Sequence, residues 1–400
     1  MTMTTKKKIL FITYADFSEN EGGPGRFLGD LCRHLPQRSN WYYSFSGTAP
    51  QLMKNGISFN NNTKQSPSGI FRLIRLIVDR IPVLGPFLYI LRLKAKGRRL
   101  KKSIRPNEEW IINSHDFLSA YCFCDHNTLH KLVFTNHAKG SNYEESVQYK
   151  EPYYGRSDWR LMFKHIEKKV ISHAHTITFP STGAQNLLVR DYPTHKSHIT
   201  SKGMVIYTGV ERKCEETWLD NRKSSTPIVL SIANHIPAKN ILASIKAFKA
   251  VIDLGYTCKF INCGKAGPST AELKDYIDSN NLQHHVELKG TVTSDEIGQL
   301  MLSASVLVMS AEITVFDLVI LEAMSVGLPI ITTRLEGFIE ALGESYPYFA
   351  DNNNEITDAI ISLTQDSNQS NKVSRLLTSR HECFFKNSNM VNQYVGLVSE

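Results

Sequence analysis

The segment Ser310–Thr333 reads SAEITVFDLVILEAMSVGLPIITT, and it decides the fold. A short apolar run ends at Ser310, a polar loop follows, and an apolar helix is predicted over Phe316–Val326. A Gly-Leu-Pro turn ends that helix and leads into a strand predicted over Pro329–Thr333. Strand, helix and strand in this order form the βαβ unit of a parallel sheet.

The same alternation of strand and helix continues through the chain. Before this segment, strands are predicted at Ile228–Ala233, Lys259–Cys263, Val286–Lys289 and Val306–Ser310, with helices at Ile241–Leu254, Thr270–Asn280 and Ser294–Ser303. In the first half, strands are predicted at Lys8–Thr13, Glu109–Asn113, Lys131–Thr135 and Thr176–Phe179. Strands that are apolar throughout are typical of parallel sheets covered on both faces. The sequence therefore predicts an α/β protein with two doubly wound parallel sheets.

A chain of 400 residues exceeds one ordinary hydrophobic core and indicates about two domains. The polar stretch Cys214–Pro227 is rich in Glu, Asp, Lys and Ser and is predicted to be a linker. We predict a first domain over residues 1–213, the linker over 214–227, a second domain over 228–385, and a helix over 386–400 that can return to the first domain. Open α/β sheets bind ligands beyond the carboxyl ends of their strands, so two such edges facing across a cleft suit a reaction between two substrates.

Composition narrows the classes of protein that fit. Apolar residues make up 42% and charged residues 21% of the chain, as in globular proteins, which excludes global disorder. The seven cysteines are scattered singly except for Cys122 and Cys124, whose spacing does not complete a zinc site, so reduced thiols are expected. The apolar run Ile9–Ile12 is too short for a signal peptide, and no window is long enough to span a membrane. We expect a cytoplasmic protein.

The net charge of +8 is unevenly distributed, because the basic segment, residues 70–105, carries eleven basic residues and one acidic residue. Asp79 is the one acidic residue among its basic residues Arg72, Arg75, Arg80, Arg92, Lys94, Lys96, Arg98, Arg99, Lys101, Lys102 and Arg105. Apolar residues interleave with these, which suits surface helices touching anionic lipid, where each basic residue contributes about 1 kcal/mol. The alternative is a helix that packs an apolar face on the sheet and leaves Lys and Arg in solvent; the clustering, which leaves Asp79 nearly alone, favours the membrane. The rest of the chain is close to neutral, so nucleic acid is not an expected partner.

The predicted helix after Ser310 offers chemistry at its N-terminus and in its interior. Free backbone N–H groups and the helix dipole favour phosphate at the N-terminus. Glu322 lies inside this otherwise apolar helix, where a carboxylate is unfavourable unless it accepts hydrogen bonds. Ribose hydroxyls are suitable donors, whereas the alternative is a Glu on a solvent-facing stripe.

In detail, the segment resembles the signature of family 4 glycosyltransferases, retaining enzymes of the GT-B fold, in which two Rossmann-like domains face each other across a cleft. That signature is a loop Glu and Gly-Phe-Gly before Leu-x-x-x-Glu-Ala-Met-Ala-x-Gly-x-Pro; the matching residues are Phe316, Leu318, Glu322, Ala323, Met324, Gly327 and Pro329. The resemblance implies that Glu322 binds the ribose of a nucleotide-sugar donor. It also implies that the donor's diphosphate faces the helix N-terminus near Asp317 and Leu318.

The resemblance extends over most of the chain. Gly22 and Gly23 are similar to the family's glycine loop after the first strand, where the backbone approaches the donor phosphate and the acceptor. His137 follows a strand where the family often has a histidine facing the donor sugar. The family's Gly-Arg-x-x-x-x-Lys resembles Ala233–Lys239, in which Lys239 keeps the lysine. The resemblance therefore implies Lys239 and His137 as catalytic residues, with Lys239 stabilising the departing diphosphate.

Three positions depart from the family pattern in one corner of the implied donor site. Asn234 stands where the family has Arg, and Thr314 stands where it has its first acidic residue, with Glu312 two positions upstream. Asp317 stands where a glycine opens the helix to phosphate. A carboxylate there repels a diphosphate unless it points away or caps the helix. Asn234, Thr314 and Asp317 are therefore expected at the donor site with altered contacts to it.

The resemblance implies transfer of a sugar from a nucleotide-sugar to a saccharide acceptor, through an oxocarbenium-like state and with retention of anomeric configuration. Neither a cofactor nor a metal is expected, because no Asp-x-Asp pair occurs in the chain and positive side chains with helix dipoles replace the metal in this family. A basic segment at a membrane implies a lipid-linked saccharide or lipopolysaccharide precursor as acceptor. The protein would then make cell-envelope polysaccharide at the inner face of the cytoplasmic membrane.

Two other functions remain open at this point. A GT-B nucleotide-sugar epimerase would turn over the donor without any acceptor. A non-catalytic GT-B scaffold would keep the fold and lose the donor chemistry. The three departures favour this scaffold hypothesis, whereas the retained Glu322 and Lys239 oppose it.

Overall fold

The structure, a computed structural model, describes residues 8–13, 27–28, 31–32, 34–35, 41–45, 51–52, 77–104, 109–124, 130–138, 140–147, 152–212, 217–221, 226–314 and 316–399. Contacts within the chain divide it into two compact units. The first unit comprises Met1–Thr208 with Met390–Glu400, and the second comprises Gly209–Asn389. Each unit is built around one β-sheet.

The sheet of the first unit has seven strands in the described residues. They are β1 (Lys8–Thr13), β2 (Trp41–Phe45), β3 (Gln51–Leu52), β4 (Trp110–Ser114), β5 (Lys131–Thr135), β6 (Thr176–Phe179) and β7 (Gly203–Val205). Their order is β3-β2-β1-β4-β5-β6-β7, and every neighbouring pair is parallel except β2 and β3. The prediction of a wholly parallel first sheet is therefore wrong at one edge, where the short β3 runs back along β2.

The sheet of the second unit is parallel in every described pair. Its strands are β8 (Ile228–Ile232), β9 (Lys259–Cys263), β10 (Val286–Gly290), β11 (Val306–Met309) and β12 (Ile330–Thr332), in the order β10-β9-β8-β11-β12. All five strands predicted in this part of the chain are present with nearly the predicted bounds. Apolar side chains fill both faces of β8 and β11, as parallel strands covered by helices on both sides require.

Helices connect the strands in both units. They are α1 (Leu84–Ser103), α2 (Phe117–Tyr121), α3 (Asn142–Val147), α4 (Ser157–His173), α5 (Thr182–Asp191), α6 (Lys196–Ser201), α7 (Trp218–Asn221), α8 (Ile241–Asp253), α9 (Thr270–Ser279), α10 (Ser294–Ser303), α11 (Leu318–Val326), α12 (Glu336–Leu342), α13 (Asn353–Gln365), α14 (Ser367–Phe384) and α15 (Asn387–Ser399). The helix predicted from Phe316 is wrong at its start: α11 begins at Leu318, because Asp317 is extended and caps it. In the part of the chain that the structure describes, no helix is both long and apolar enough to cross a bilayer.

Helix α8 shows why these segments fold as they do. Its sequence ILASIKAFKAVID places apolar or small residues three or four positions apart, at Ile241, Ile245, Phe248 and Val251, and all four are buried. That face packs within the second unit, where Thr357 of α13 donates a hydrogen bond to a carbonyl of α8. A single apolar stripe is therefore enough to hold the helix on the rest of the unit.

Two segments near the predicted domain boundaries belong to the cores of the units. Within the predicted linker, Trp218 of α7 is 1% exposed and donates from its indole to the Ala304 carbonyl (2.6 Å) in the second unit. At the C-terminus, Met390, Val391 and Tyr394 of α15 pack into the core cluster of the first unit. Large buried aromatic side chains contribute much of a domain's hydrophobic stabilisation, so both segments are structural parts of the units.

Each sheet has a point where the strand order reverses. In the first sheet β1 lies between β2 and β4, and in the second β8 lies between β9 and β11. Loops leaving the carboxyl ends of the two central strands diverge there and open a crevice, the usual binding place of an open α/β sheet. We call these the first switch point, between β1 and β4, and the second switch point, between β8 and β11.

Candidate functional site

Lys239 lies on the loop after β8, at the carboxyl edge of the second sheet. Pro237 starts a single 3-10 turn over Pro237–Lys239, because its fixed φ suits a first helical position. Asn240 then adopts the left-handed conformation (φ 43°), which Asn tolerates better than most residues, and α8 follows. This turn holds Lys239 beside the second switch point with 24% of its side chain exposed.

Asp317 closes the N-terminus of α11 on the other side of the second switch point. Its Oδ1 accepts a hydrogen bond from the Val319 N–H (3.1 Å), which fixes the start of α11 at Leu318. Its Oδ2 lies 2.6 Å from Nζ of Lys239. The structure therefore brings three predicted site residues, Lys239, Asp317 and Leu318, to one place. There Asp317 caps the helix that the family pattern leaves open.

Further hydrogen bonds tie the loops after β8 and β11 together. The Glu312 N–H donates to the Ala238 carbonyl (3.0 Å), and its Oε1 accepts from Nδ2 of Asn240 (3.1 Å). Ser310 donates from its hydroxyl to the Asn240 carbonyl (2.7 Å). Glu312 thus holds the residue next to Lys239, while the half-buried Thr314 lies two residues further along the same loop.

Asn234 and His235 join the loops after β8 and β9. Oδ1 of Asn234 accepts from the Lys265 N–H (2.8 Å). Beneath it the buried His235 places Nδ1 2.9 Å from the Thr270 hydroxyl and Nε2 2.7 Å from Oδ1 of Asn262. With both ring nitrogens hydrogen-bonded, His235 locks the geometry of the loop that leads to the predicted phosphate contact. Asn234 is therefore bound to a neighbouring loop through its carbonyl oxygen.

Glu322 lies on the buried side of α11 and is 7% exposed. This position excludes the alternative that Glu322 belongs to a solvent-facing stripe. It lines a small pocket within the second unit, between α10 and α11, together with Glu211, Ile297, Gly298, Met301, Ser325 and Val326. The carboxylate of Glu322 therefore lies in the interior of the second unit, and its role in binding ribose stays a prediction.

The first switch point carries two histidines. His115 follows β4 directly, and His137 follows β5 two residues after its end. Their rings stack with centroids 5.3 Å apart, and Nδ1 of His115 lies 3.0 Å from Nε2 of His137. Phe27 and Tyr394 pack against the pair. The predicted Gly22 and Gly23 lie outside the described residues.

Both histidines of this pair are neutral at pH 7. Burial lowers the pKa of His137 to about 4, although part of the residue reaches the surface. Burial, and then the neighbouring His137, hold the pKa of His115 well below its usual value. Two adjacent imidazolium ions would repel each other in a low-dielectric interior, so the neutral pair is the favoured state.

The hydrogen bond between the rings fixes where their protons lie. Nε2 of His115 is buried and has no partner within the described residues. An orphaned buried N–H is less favourable than an orphaned acceptor, so His115 carries its proton on Nδ1 and donates to His137. A neutral His137 that accepts at Nε2 must carry its own proton on Nδ1. His137 is therefore a hydrogen-bond donor at Nδ1.

The loop that carries His137 is anchored by a buried carboxylate. Glu167 of α4 accepts hydrogen bonds from the Ser141 hydroxyl (2.8 Å) and from the Tyr192 hydroxyl. Burial raises the pKa of Glu167, although these hydrogen bonds oppose the rise. At the other end of the loop, Asn142 donates to Oδ1 of the buried Asn136 (2.8 Å). Rigid anchoring of this kind keeps a catalytic side chain in one orientation.

Several of these contacts were not predicted from the sequence. Asn240 carried a local signal, because Asn before a helical pattern often adopts a left-handed turn. Glu167, His235 and the pairing of His115 with His137 carried none, since their partners are distant in the chain. Within the described residues, no group of three or more His, Cys, Asp or Glu side chains is placed to hold a metal ion.

Two family models match the chain, one to each half. "Glycosyltransferase Family 4" matches residues 21–213 and "Glycosyl transferases group 1" matches residues 216–376. An uncharacterized glycosyltransferase of Methanocaldococcus jannaschii is 26% identical over 169 residues, which are 42% of this chain and 45% of that relative. The matched region thus spans less than half the length of this curated relative.

Solved structures share the fold at low sequence identity. The crystal structure of Anabaena HepE in complex with UDP and glucose has a TM-score of 0.64 at 15% identity and covers 98% of this chain and 99% of that chain. Sucrose-phosphate synthase of Thermosynechococcus elongatus (TM-score 0.64, 17% identity) and a glycosyltransferase of Rickettsia africae (0.63, 17%) each cover 98% of both chains. The two family models together with two α/β units of this topology show that this chain belongs to the family 4 glycosyltransferases and has their GT-B fold.

Proposed function

We propose that this protein transfers a sugar from a nucleotide-sugar, with a UDP-sugar as the first donor to test, to a saccharide acceptor. The observation that carries the proposal is the convergence of Lys239 and the N-terminus of α11 at the second switch point. A cation beside a helix N-terminus at the carboxyl edge of a parallel sheet is a characteristic site for phosphate groups. The UDP and glucose bound in the HepE crystal structure support UDP as the nucleotide of the donor.

The donor would be held by two elements of the second unit, the turn that carries Lys239 and helix α11. Its diphosphate would face Lys239 and the first turn of α11, and its ribose would donate hydroxyl hydrogen bonds to Glu322. Asn234 and Thr314 line the loops around this place, where the family pattern has an Arg and an acidic residue. Their neutral side chains leave Lys239 as the cation that stabilises the departing diphosphate.

We propose different roles for Lys239 and His137 in the transfer step. Breaking the sugar–phosphate bond develops positive charge on the sugar and negative charge on the diphosphate. Lys239 and the helical N–H groups stabilise the diphosphate, while His137, as a neutral donor, would bind a hydroxyl of the donor sugar. We further propose that the reaction retains anomeric configuration, needs no metal ion and places the acceptor near Gly22 and Gly23. Full activity in excess EDTA would support the absence of a catalytic metal ion. A product whose new bond has the same anomeric configuration as the donor, determined by NMR, would support retention.

The donor site is tested by thermal-shift binding of UDP-, GDP-, ADP- and CMP-sugars to the wild-type protein. One nucleotide-sugar should raise Tm, and Glu322→Gln should reduce the shift because the ribose loses a charged acceptor. Glu272→Gln, at an exposed position in the first turn of α9, is the matched control and should bind like the wild type. No shift with any nucleotide-sugar would contradict the proposal.

A non-catalytic scaffold is the second candidate, and one observation favours it. Lys239 is already neutralised by Asp317, so its charge is not free for a diphosphate in this structure. The retained Glu322 and Lys239, which match the family pattern, weigh against a scaffold. Turnover of a nucleotide-sugar in the presence of a saccharide acceptor separates the two candidates.

We also propose an anionic membrane as a partner, through the basic segment. Helix α1 buries one face, which includes Tyr89, Leu93 and Leu100, against the first unit. Its other face carries exposed basic residues: Arg92, Lys94, Arg98, Arg99 and Lys102. The only described carboxylate of the segment, Asp79, is buried and paired with Arg92 (3.1 Å). A row of exposed basic residues on one helix face suits anionic lipid headgroups.

Exposed apolar side chains at the start of α1 support the same partner. Ile77, Val83 and Phe87 are 56%, 71% and 56% exposed, next to the exposed Ile81, Leu84 and Leu91. Val83 is the centre of a tight turn with φ 63°, a strained conformation for a β-branched residue. Its N–H is held by Oδ2 of Asp158 (2.8 Å). Backbone strain that presents an apolar side chain to solvent is accounted for if that side chain enters a membrane.

Vesicle sedimentation tests the membrane partner. Replacing Arg98, Arg99, Lys101 and Lys102 by Ala should lower the partition coefficient on phosphatidylglycerol vesicles by about a hundredfold or more. The matched control removes equal charge from the second unit, at the exposed Lys246, Lys274, Lys372 and Arg375. Phe87→Ser should also weaken binding, whereas Leu254→Ser, at an equally exposed apolar position, should not. Equal sedimentation of test and control variants would contradict the proposal.

A membrane partner would place the enzyme on the inner face of the cytoplasmic membrane. Its acceptor would then be a lipid-linked saccharide or a lipopolysaccharide precursor, and its product a cell-envelope polysaccharide. Transfer to a lipid-linked saccharide in vesicles, compared with the same saccharide in solution, measures this preference. A rate that does not depend on the lipid would leave the transfer proposal intact and remove this acceptor.

A further inference from the structure

We propose that Asp317 is an internal competitor for the donor's phosphate groups and sets how weakly the protein holds its nucleotide product. The proposal rests on the proposed function, because it assumes that the diphosphate binds at Lys239 and the N-terminus of α11. It goes beyond that function, because it assigns a role to a carboxylate that stands where phosphate should bind.

Asp317 uses both of its oxygens on the groups that a phosphate would use. Oδ1 accepts from the Val319 N–H at 3.1 Å, and Oδ2 accepts from the Lys239 ammonium at 2.6 Å. A carboxylate and a phosphate oxygen are both anionic acceptors with the same preference for cations and helical N–H groups. The two anions therefore compete for the same donors.

The setting makes this pair stronger than an ordinary surface ion pair. The side chains of Lys239 and Asp317 are only 24% and 11% exposed. Water and salt screen such a pair less than a fully exposed one. An incoming diphosphate must therefore take Lys239 from Asp317, and the displaced carboxylate then stands close to a second anion.

The exchange can be local. Asp317 is the N-cap, with extended backbone (φ −101°, ψ 119°), so its side chain can rotate without unwinding α11. The loop after β8 that carries Lys239 is held by Asn240 and Glu312 and stays in place. A single side chain thus moves between a closed position on Lys239 and an open position away from the phosphate.

The repulsion acts more strongly on product than on substrate. A nucleoside diphosphate has a terminal phosphate with more negative charge than the diester linkage of a nucleotide-sugar. Asp317 therefore destabilises bound product more than bound donor. The expected consequence is rapid release of the nucleoside diphosphate after each transfer.

Calorimetric titration with UDP, GDP and ADP, and with the corresponding sugar nucleotides, tests the proposal. Asp317→Asn keeps an N-cap acceptor and removes the charge, and Asp317→Ser does the same with a different side chain. Both should tighten nucleoside diphosphate binding by on the order of tenfold at low salt, and tighten the sugar nucleotide by less. Asp295→Asn, an exposed first-turn carboxylate of α10, is the matched control and should change neither affinity.

Combination with Lys239→Ala tests the route of the effect. If Asp317 acts by occupying Lys239, its removal should give a much smaller gain in the Lys239→Ala background than in the wild type. Wild-type binding with no gain in either Asp317 variant would overturn this inference and leave the proposed function standing. No nucleotide binding by the wild type or by any variant would overturn the proposed function itself. Binding that appears only in the Asp317 variants would show that Asp317 blocks the site in the wild type, and would contradict both product release by Asp317 and the proposed function.

Discussion

The polar groups at the two switch points of this molecule differ in charge state: one pair is neutral and the other is ionised. At the first, His115 and His137 are buried, hydrogen-bonded to each other and neutral. At the second, Lys239 and Asp317 form a half-buried ion pair. A neutral donor suits the hydroxyls of a sugar, whereas a cation suits the diphosphate that leaves. The same topological position thus carries a neutral pair in one unit and an ion pair in the other.

The largest expected effect comes from removing the cation of the charged pair at the second switch point. Lys239→Ala should lower kcat/KM for sugar transfer by about 10²–10³-fold, because the departing diphosphate loses its cation in a partly buried site. Steady-state kinetics with the donor found by thermal shift measure it. Lys246→Ala, an exposed lysine on α8, is the control. A rate for Lys239→Ala equal to that of the control would show that Lys239 does not act on the leaving group.

Acid should protonate the neutral histidine pair at the first switch point and so destabilise the fold. Unfolded histidines have a pKa of about 6.5, whereas burial lowers that of His137 to about 4. Below about pH 6.5 the unfolded chain therefore binds more protons than the folded one, and stability falls as pH decreases towards 4. We expect His137 alone to account for a loss of about 2 kcal/mol in the free energy of unfolding between pH 7 and pH 4.5, and His115 to add to this loss.

Urea denaturation at several pH values measures this loss, and a His137→Asn variant provides the comparison. Asn does not titrate, so the variant should lose less stability on acidification than the wild type. The sign is decisive: a stability that rises as pH falls from 7 to 5 would mean that the histidines gain a negatively charged partner in the folded state. An identical pH dependence in the variant would assign the effect to other groups.

A smaller effect sharpens the assignment of His137 as a neutral donor. His137→Ala should lower kcat by about tenfold, which corresponds to one lost hydrogen bond to the sugar. The kcat of His137→Asn should lie between those of His137→Ala and the wild type, because the Asn amide can donate from the position of Nδ1. A rate in Asn as low as in Ala, with a shifted pH optimum in both, would point to proton transfer by His137 instead.

The smallest expected effect concerns the hydroxyl network behind the histidines. The hydroxyl of Tyr394 lies 3.4 Å from those of Thr135 and Thr178, which are themselves joined at 2.7 Å. Tyr394→Phe should lower the free energy of unfolding by less than about 1 kcal/mol, because these contacts are long and leave no charge uncovered. Thermal and urea unfolding measure it. A larger loss would show that the hydroxyl has a stronger structural role than its distances imply.

The sequence predicted the central strands well and the edges of the first sheet poorly. Strands such as Lys131–Thr135 and Val306–Met309 are continuous apolar runs, which a parallel sheet buried on both faces demands. The missed strands were β2, whose WYYSF mixes aromatic and polar residues, and the very short β3 and β7. Such segments carry little periodicity, and their pairing with a neighbouring strand makes them strands.

The candidate site was predicted unevenly for a related reason. The resemblance pointed to Lys239, Asp317, Leu318 and Glu322 as neighbours of one ligand, and the structure brings the first three together. The helix start was misplaced, although an Asp before an apolar run is a recognisable N-cap signal. That Asp317 also pairs with Lys239, 78 residues earlier, could not be predicted, because only the folded sheet places their loops side by side.

By itself, the sequence determined the elements, their order and the residue types at the strand ends. Apolar periodicity and helix caps act over a few residues, so they can be recognised locally. Only the tertiary structure decided the partners and charge states: the neutral histidine pair, the buried Glu167 and the closed Lys239–Asp317 pair. Electrostatic free energy depends on burial and on groups brought from distant segments, and both exist only once the chain has folded.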